Sequence, residues 1–231
     1  MSASGSNVKG DWALILGASS GFGGACALKL AEVGLNIFGV HLDRRSTLAN
    51  VEKIVEKIKA QGREAVFFNI NAASAEKRAG VLDKIEERLG QEGRAATVKT
   101  LIHSLAFGTL KPYVAPSAED SITQAQMEMT LDVMANSLVY WLQDLVHRGL
   151  MVEGGRVYAM TSAGSQRVVP SYGAVSAAKA ALESHIRQLA MELAPRGITI
   201  NAIRAGITDT PALRKIPGHE GLIEQATRNN P

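Results

Sequence analysis

The stretch Gly17-Ala18-Ser19-Ser20-Gly21-Phe22-Gly23 constrains this chain more than any other. It follows a short apolar run, Trp12–Leu16, and opens a helix-like segment, Gly21–Val33. That segment has apolar positions at Cys26, Leu28, Leu30, Ala31 and Val33, and Gly34 stands as its stop. A strand that ends in a glycine turn and starts a helix aims several backbone N–H groups at one point, and the helix dipole adds positive potential there. Glycine also removes the Cβ that would block a pyrophosphate. The plainer alternative is a tight turn with no ligand, but its place between a strand and a helix favours an anion cradle.

Strand-like and helix-like segments then alternate to the end. Leu35–Leu42 is strand-like. In the next helix Leu48, Val51, Ile54, Val55 and Ile58 follow the i, i+3, i+4, i+7 rule, Ser46 or Thr47 is its expected cap, and Gly62 ends it. Glu64–Ile70 reads as a strand, Ser74–Leu89 as a helix with Val81, Leu82, Ile85 and Leu89 on one face, and Thr97–His103 as a strand. Lys111–Ser117 is a loop with two prolines. Helices are expected at Ala118–Leu131 and Asp132–Arg148, a strand at Arg156–Thr161, a long helix at Tyr172–Leu193 and a strand at Ile198–Arg204. Six strands separated by helices imply one α/β domain spanning 1–231, a doubly wound Rossmann-type parallel sheet with helices on both faces.

Composition excludes several function classes. With 46% hydrophobic and 20% charged residues, the 231-residue chain is neither disordered nor fibrous. Its formal charge of +3 is small and scattered, and aromatics are only 5%, which argues against nucleic acid as a partner. Cys26 is the single cysteine, so no internal disulfide forms, and this suits a reducing compartment. No apolar run approaches the roughly 18 residues of a membrane span, and MSASGSNVKG lacks the regions of a signal peptide. The histidines at 41, 103, 147, 185 and 219 show no metal-ligand spacing. His185 reads as packing or surface, Cys26 as a small core residue, and Tyr140 and Trp141 as core or subunit contact.

Tyr172 and Lys179 are seven residues apart in a strongly helical segment. At about 100° per residue they return to within about 20° of each other, on one face and two turns apart. An ammonium near a tyrosine hydroxyl lowers its pKa, and such a phenol can stabilise an oxyanion and donate a proton. Taken alone, a Tyr and a Lys at this spacing is a common coincidence. Behind a dinucleotide turn, and ten residues after Ser162, the pair reads as catalytic.

The spacing Gly-x-x-x-Gly-x-Gly resembles the short-chain dehydrogenase/reductase family, and the resemblance runs from Asp11 to Pro231. It implies that Gly17, Ser19, Ser20, Gly21, Phe22 and Gly23 cradle a dinucleotide. The carboxylate that selects NAD usually falls where His41 stands. Asp43 comes two residues later and is followed by Arg44 and Arg45, which the resemblance offers to the 2′-phosphate of NADPH; with the arginines as a solvated loop, NADH is the alternative. Asn69 and Ile70 occupy the adenine-edge position. The ordinary Tyr-x-x-x-Lys form is absent, since position 176 is Ser. Tyr-x6-Lys resembles the enoyl-acyl-carrier-protein reductases instead. Ile102-His103-Ser104-Leu105-Ala106-Phe107 replaces the ordinary Asn-Asn-Ala-Gly. Asn201-Ala202-Ile203-Arg204-Ala205-Gly206 has Ala before Gly, and Met134 replaces a catalytic Asn. The glycine pattern, Ser162 and the segment Thr208–Gly218 are similar to the third, NADPH-preferring branch of those reductases.

The resemblance implies reduction of the carbon–carbon double bond of a 2-enoyl thioester, carried by acyl-carrier protein or CoA. Tyr172, Lys179 and Ser162 would be catalytic, with Lys179 also on the ribose. Ser104, Ala106, Gly206, Thr208 and Thr210 would join the cofactor set, and Phe107 would border the site. The alternatives are a 3-ketoacyl or other carbonyl reductase on the same scaffold, with Ser162 holding the carbonyl, and a dinucleotide-binding regulator without turnover. A cytoplasmic homo-oligomer, dimer or tetramer, is expected. Family members usually continue past a proline like Pro231 to a further strand, so the resemblance implies a C-terminally short domain with Ile198–Arg204 as an exposed edge.

Overall fold

In the computed structural model, residues 11–92 and 96–229 are described. The N-terminal segment expected to carry no signal, and the terminal Asn230 and Pro231, lie outside the described residues. Six parallel strands, β1 (Trp12–Leu16), β2 (Asn36–His41), β3 (Ala65–Asn69), β4 (Val98–His103), β5 (Arg156–Thr161) and β6 (Thr199–Arg204), form one sheet in the order 3-2-1-4-5-6. The alternation expected from the sequence is therefore borne out. The chain order reverses between β1 and β4, and the carboxyl ends stay level there: Leu16 pairs Val40 on one side and His103 on the other. That reversal is where an open α/β sheet leaves a crevice.

The central strands are buried on both faces, as parallel strands must be when helices cover them. Their side chains alternate between two cores. Trp12, Leu14 and Leu16 pack with Val81, Leu82 and Ile85 of α3 (Ala75–Gly90), and with Leu138, Trp141 and Leu145 of α5 (Ser137–His147). Trp12 stacks on Phe38 with ring centroids 3.9 Å apart. The opposite core holds Ala13 and Ile15 with Ala27 and Ala31 of α1 (Gly21–Glu32) and Ile54 and Ile58 of α2 (Leu48–Ala60). Each fully buried Leu, Ile or Phe contributes about 1.5–3 kcal/mol. The edge strand β6 is exposed at most positions, as expected.

Several local expectations change. The buried face of α1 is Gly23, Gly24, Ala27 and Ala31 rather than its larger apolar residues, because α1 lies close on the sheet; Val33 is exposed. Cys26 is half-buried beside this core. Thr47 stands at the cap position of α2, but its hydroxyl donates to the Arg44 carbonyl instead of accepting from the helix. Residues 118–123 are not helical. Ser117 Oγ accepts from the Asp120 N–H and donates to its carboxylate, and such local bonds compete with the helix ladder. The helix α4 (Gln124–Leu131) begins at a capping box between Thr123 and Gln126 and runs through a π-helical turn, Asp132–Asn136, directly into α5. Trp141 is wholly buried and donates to the Ala72 carbonyl at 2.8 Å, which decides for a core role. A last helix, α7 (His219–Asn229), was not expected.

Candidate active site

The crevice at the reversal is a cavity of about 230 Å³ lined by the glycine turn, the ends of β2 and β4, and the segment after β3. The turn is shaped by close approach. Gly17 has φ +91°, and a Cβ there would sit 2.5 Å from the Ser104 carbonyl oxygen; one on Gly23 would sit 2.0 Å from the Gly17 carbonyl oxygen. Ser20, at the N-cap of α1, makes no side-chain cap, so the first-turn N–H groups are left for an anion at the cavity wall.

Gly17, Ser19, Ser20, Gly21 and Phe22 line this cavity, as do Ile70, Ser104, Ala106, Phe107 and Thr210. Gly23 lies behind the turn, buried. Gly206 and Thr208 are exposed and outside the lining, with Thr208 Oγ1 donating to the Gly206 carbonyl. Arg44 and Arg45 are exposed and also outside it. Asn69 is not in the lining either: its side chain clasps the Asp43 backbone, donating to the carbonyl and accepting from the N–H, both at 3.0 Å. The cavity wall also includes His41, Leu42, Asn71, Met129 and Lys215, none of which sequence reasoning named as a ligand contact. His41 follows from its place at the end of β2; Lys215 carries no local signal.

Asp43 is tied inward. Its carboxylate lies 3.0 Å from His41 Nδ1. Burial pushes its carboxyl up, but hydrogen bonds with Thr47, Ser19 and His41 outweigh this and hold it below the usual carboxylate range. A negative charge thus sits beside the glycine turn.

Tyr172 is not inside a helix but is the N-cap of α6 (Gly173–Leu193). The residue before it, Ser171, has φ +60°, a conformation that non-glycine residues adopt at a cost. A Cβ on Gly164 would lie 2.5 Å from the Tyr172 ring, so a bare backbone lets the ring approach β5's end. The Tyr172 hydroxyl is 3.4 Å from Ser162 Oγ, which accepts from the Gly164 N–H at 3.1 Å. Beneath the ring lie Met134, Val133, Val175 and Ala178, an apolar bed at the position of the missing asparagine.

Lys179 is buried, 5% exposed, and donates to the Met160 carbonyl at 2.7 Å and toward the Leu105 carbonyl at 3.4 Å. It thereby ties β5, the loop after β4 and α6 together; Ser162, Tyr172 and Lys179 are not among the residues that line the cavity. Burial lowers its pKa to about 8, against a raising contribution from Glu183. His103, wholly buried, has Nε2 2.9 Å from Ser137 Oγ. The Ser137 proton goes to the Val133 carbonyl, so His103 donates from Nε2, and its Nδ1 has no hydrogen-bond partner among the described residues. Burial first, and Lys179 second, push its pKa down to about 3. His185 meets the Asn136 side-chain oxygen at 3.2 Å, a packing role. No helix among the described residues is long and apolar enough to cross a membrane.

The sequence model of the enoyl-(acyl carrier protein) reductase family matches residues 17–231. A 3-oxoacyl-(acyl-carrier-protein) reductase of Pseudomonas aeruginosa is 30% identical over 224 residues, covering 95% of this chain and 83% of its own. A 1-cyclohexenylcarbonyl-CoA reductase of Streptomyces collinus is 28% identical over 209 residues, 90% of this chain and 69% of its own. Among solved structures, the enoyl-(acyl-carrier-protein) reductase (NADH) of Aquifex aeolicus is similar with a TM-score of 0.79 at 26% identity, over 98% of this chain and 84% of that one.

Proposed function

Since the chain belongs to the enoyl-(acyl carrier protein) reductase family of short-chain dehydrogenases/reductases, and so is an NAD(P)-dependent oxidoreductase, we propose that it reduces the double bond of a 2-enoyl thioester. When bound, the reduced nicotinamide supplies hydride to the β-carbon. Negative charge then develops on the thioester oxygen as an enolate, and a proton delivered from solvent to the α-carbon completes the reduction. Tyr172 hydrogen-bonds that oxygen from the helix start, where it packs against Met134 and Val175. Lys179 holds the ribose and supports the phenol, and its donors are already aimed by the two carbonyls it meets. Ser162 orients Tyr172. The glycine turn and its uncapped helix start fit a pyrophosphate, and Ser104, Ala106 and Thr210 line the same cavity.

The observation that carries the choice of substrate is Met134, buried among apolar neighbours at the position of the missing asparagine. Carbonyl reduction is the second reading, favoured by the Ser162–Tyr172 contact and by the Pseudomonas relative. The deciding measurement is kcat/KM for an enoyl thioester divided by that for a 3-ketoacyl thioester of equal length. We expect a ratio well above one; a value below one assigns carbonyl reduction. In the enoyl reaction Tyr172→Phe should lower kcat by about 10²–10³ while the cofactor still binds.

NADPH is the proposed cofactor, through Arg44 and Arg45. Asp43, charged and beside Ser19, favours NADH as the second reading. If the arginines meet a 2′-phosphate at about 1.5–3 kcal/mol each, replacing both with Ala weakens NADPH far more than NADH, and equal losses mean that the arginines are only a solvated loop. The acyl group reaches the site on acyl-carrier protein or CoA, in a cytoplasmic homo-oligomer.

A further inference from the structure

The strand end that carries Ser162 is anchored by a carboxylate with no part in the chemistry above. Glu183 Oε1, half-buried on α6, accepts from Thr161 Oγ1 at 2.6 Å and from Ser165 Oγ at 2.9 Å. These residues bracket Ser162. The Ser165 hydroxyl also lies 2.9 Å from the Ser162 carbonyl. It has one proton for two acceptors, so Glu183 and Ser162 share it. Ser176 on α6 donates to the Gly164 carbonyl, closing the same turn from the helix side. The turn is thus stapled to α6, and the Glu183 bonds are its charge-assisted members, the stronger kind.

Glu183 also stands four residues beyond Lys179, one helical turn along the same face. Among the described residues, Glu183 on its own helix and His103 on β4 act on the buried ammonium, and the Tyr172 phenol that it supports stands seven residues earlier. His103 is neutral, and the Glu183 carboxylate offsets the ammonium.

We infer that Glu183 is a positioning residue that fixes the Ser162 turn through Thr161 and Ser165 and places a compensating negative charge one turn from Lys179. This rests on Ser162 and Lys179 serving the reduction proposed above.

The test uses the full chain with Glu183→Ala and Glu183→Gln, each with and without Ser162→Ala. Glu183→Ala should lower kcat by about tenfold, and by less than about twofold once Ser162 is already Ala, because both changes act through one hydroxyl. Glu183→Gln keeps an acceptor oxygen and should restore most of kcat. Its lost charge should move the high-pH loss of NADPH affinity, followed by calorimetry around the lysine's value of about 8, down by about half a unit. Additive losses in the double variant, or an unmoved midpoint in Glu183→Gln, overturn the inference. The NADPH titration needs no acyl substrate. A wild-type protein that binds NADPH but reduces no enoyl thioester would defeat the functional reading and leave the midpoint to judge Glu183.

Discussion

Two segments bound the cavity and are built in opposite ways. The glycine turn, residues 17–23, is locked against the β4 end by contacts with no room for a methyl group. The segment from Gly206 through α7 has no buried residue, and Gly206, Gly218 and Gly221 meet nothing within 4 Å of an added Cβ. The first holds a fixed shape; the second covers the cavity with Thr210, Pro211, Ala212 and Lys215 while packing little. A turn held this closely keeps one shape, whereas a segment that packs this little tolerates adjustment.

The contrast can be broken most strongly at the turn. Gly23→Ala places a methyl group 2.0 Å from the Gly17 carbonyl oxygen. Backbone must move, so this change should cost on the order of 4 kcal/mol of stability and abolish dinucleotide binding, as urea unfolding and a cofactor titration will show. Retention of both would mean that the turn yields as readily as the C-terminal wall.

A smaller effect comes from the locked side's buried His103. In the unfolded chain its imidazole takes up a proton near pH 6.5, but in the fold only near pH 3. The unfolded state therefore binds more protons between these values, and stability falls as pH drops from 6.5 toward 3. His103→Asn should flatten that limb and leave stability above pH 6.5 nearly unchanged apart from packing. Equal acid sensitivity of the two proteins, measured by denaturant unfolding across this range, would place the sensitivity elsewhere.

The smallest effect belongs to the open side. Gly221→Ala lies inside α7 with free space around it. It should raise stability by about 0.5–1 kcal/mol through the unfolded chain's lost freedom, without altering cofactor affinity. A loss of stability would show that α7 packs more closely than its exposure indicates.

Much of the frame was legible in residue order, because it rests on local patterns. Six parallel strands in one sheet followed from alternation, while their order came only with the structure. Buried faces of α2 and α3 followed from spacing, and Val51, Ile54, Ile58, Val81, Leu82, Ile85 and Leu89 are all buried. α7 left a signal that went unused, since Leu222, Ile223 and Ala226 share one helical face and are its half-buried apolar residues.

The glycine turn's place, the alternation that makes a parallel sheet and the seven-residue interval from Tyr172 to Lys179 were determined by the sequence alone, because each is a property of neighbours a few residues apart. Only the tertiary structure decided the rest. It joined α4 to α5 through a π turn where Ser137 meets His103 from a distant strand. It turned Asp43 inward and left Arg44 and Arg45 outside, and it brought Glu183 to the two hydroxyls around Ser162. These contacts join residues brought near by packing, and no periodicity records which side chains meet once two elements are pressed together.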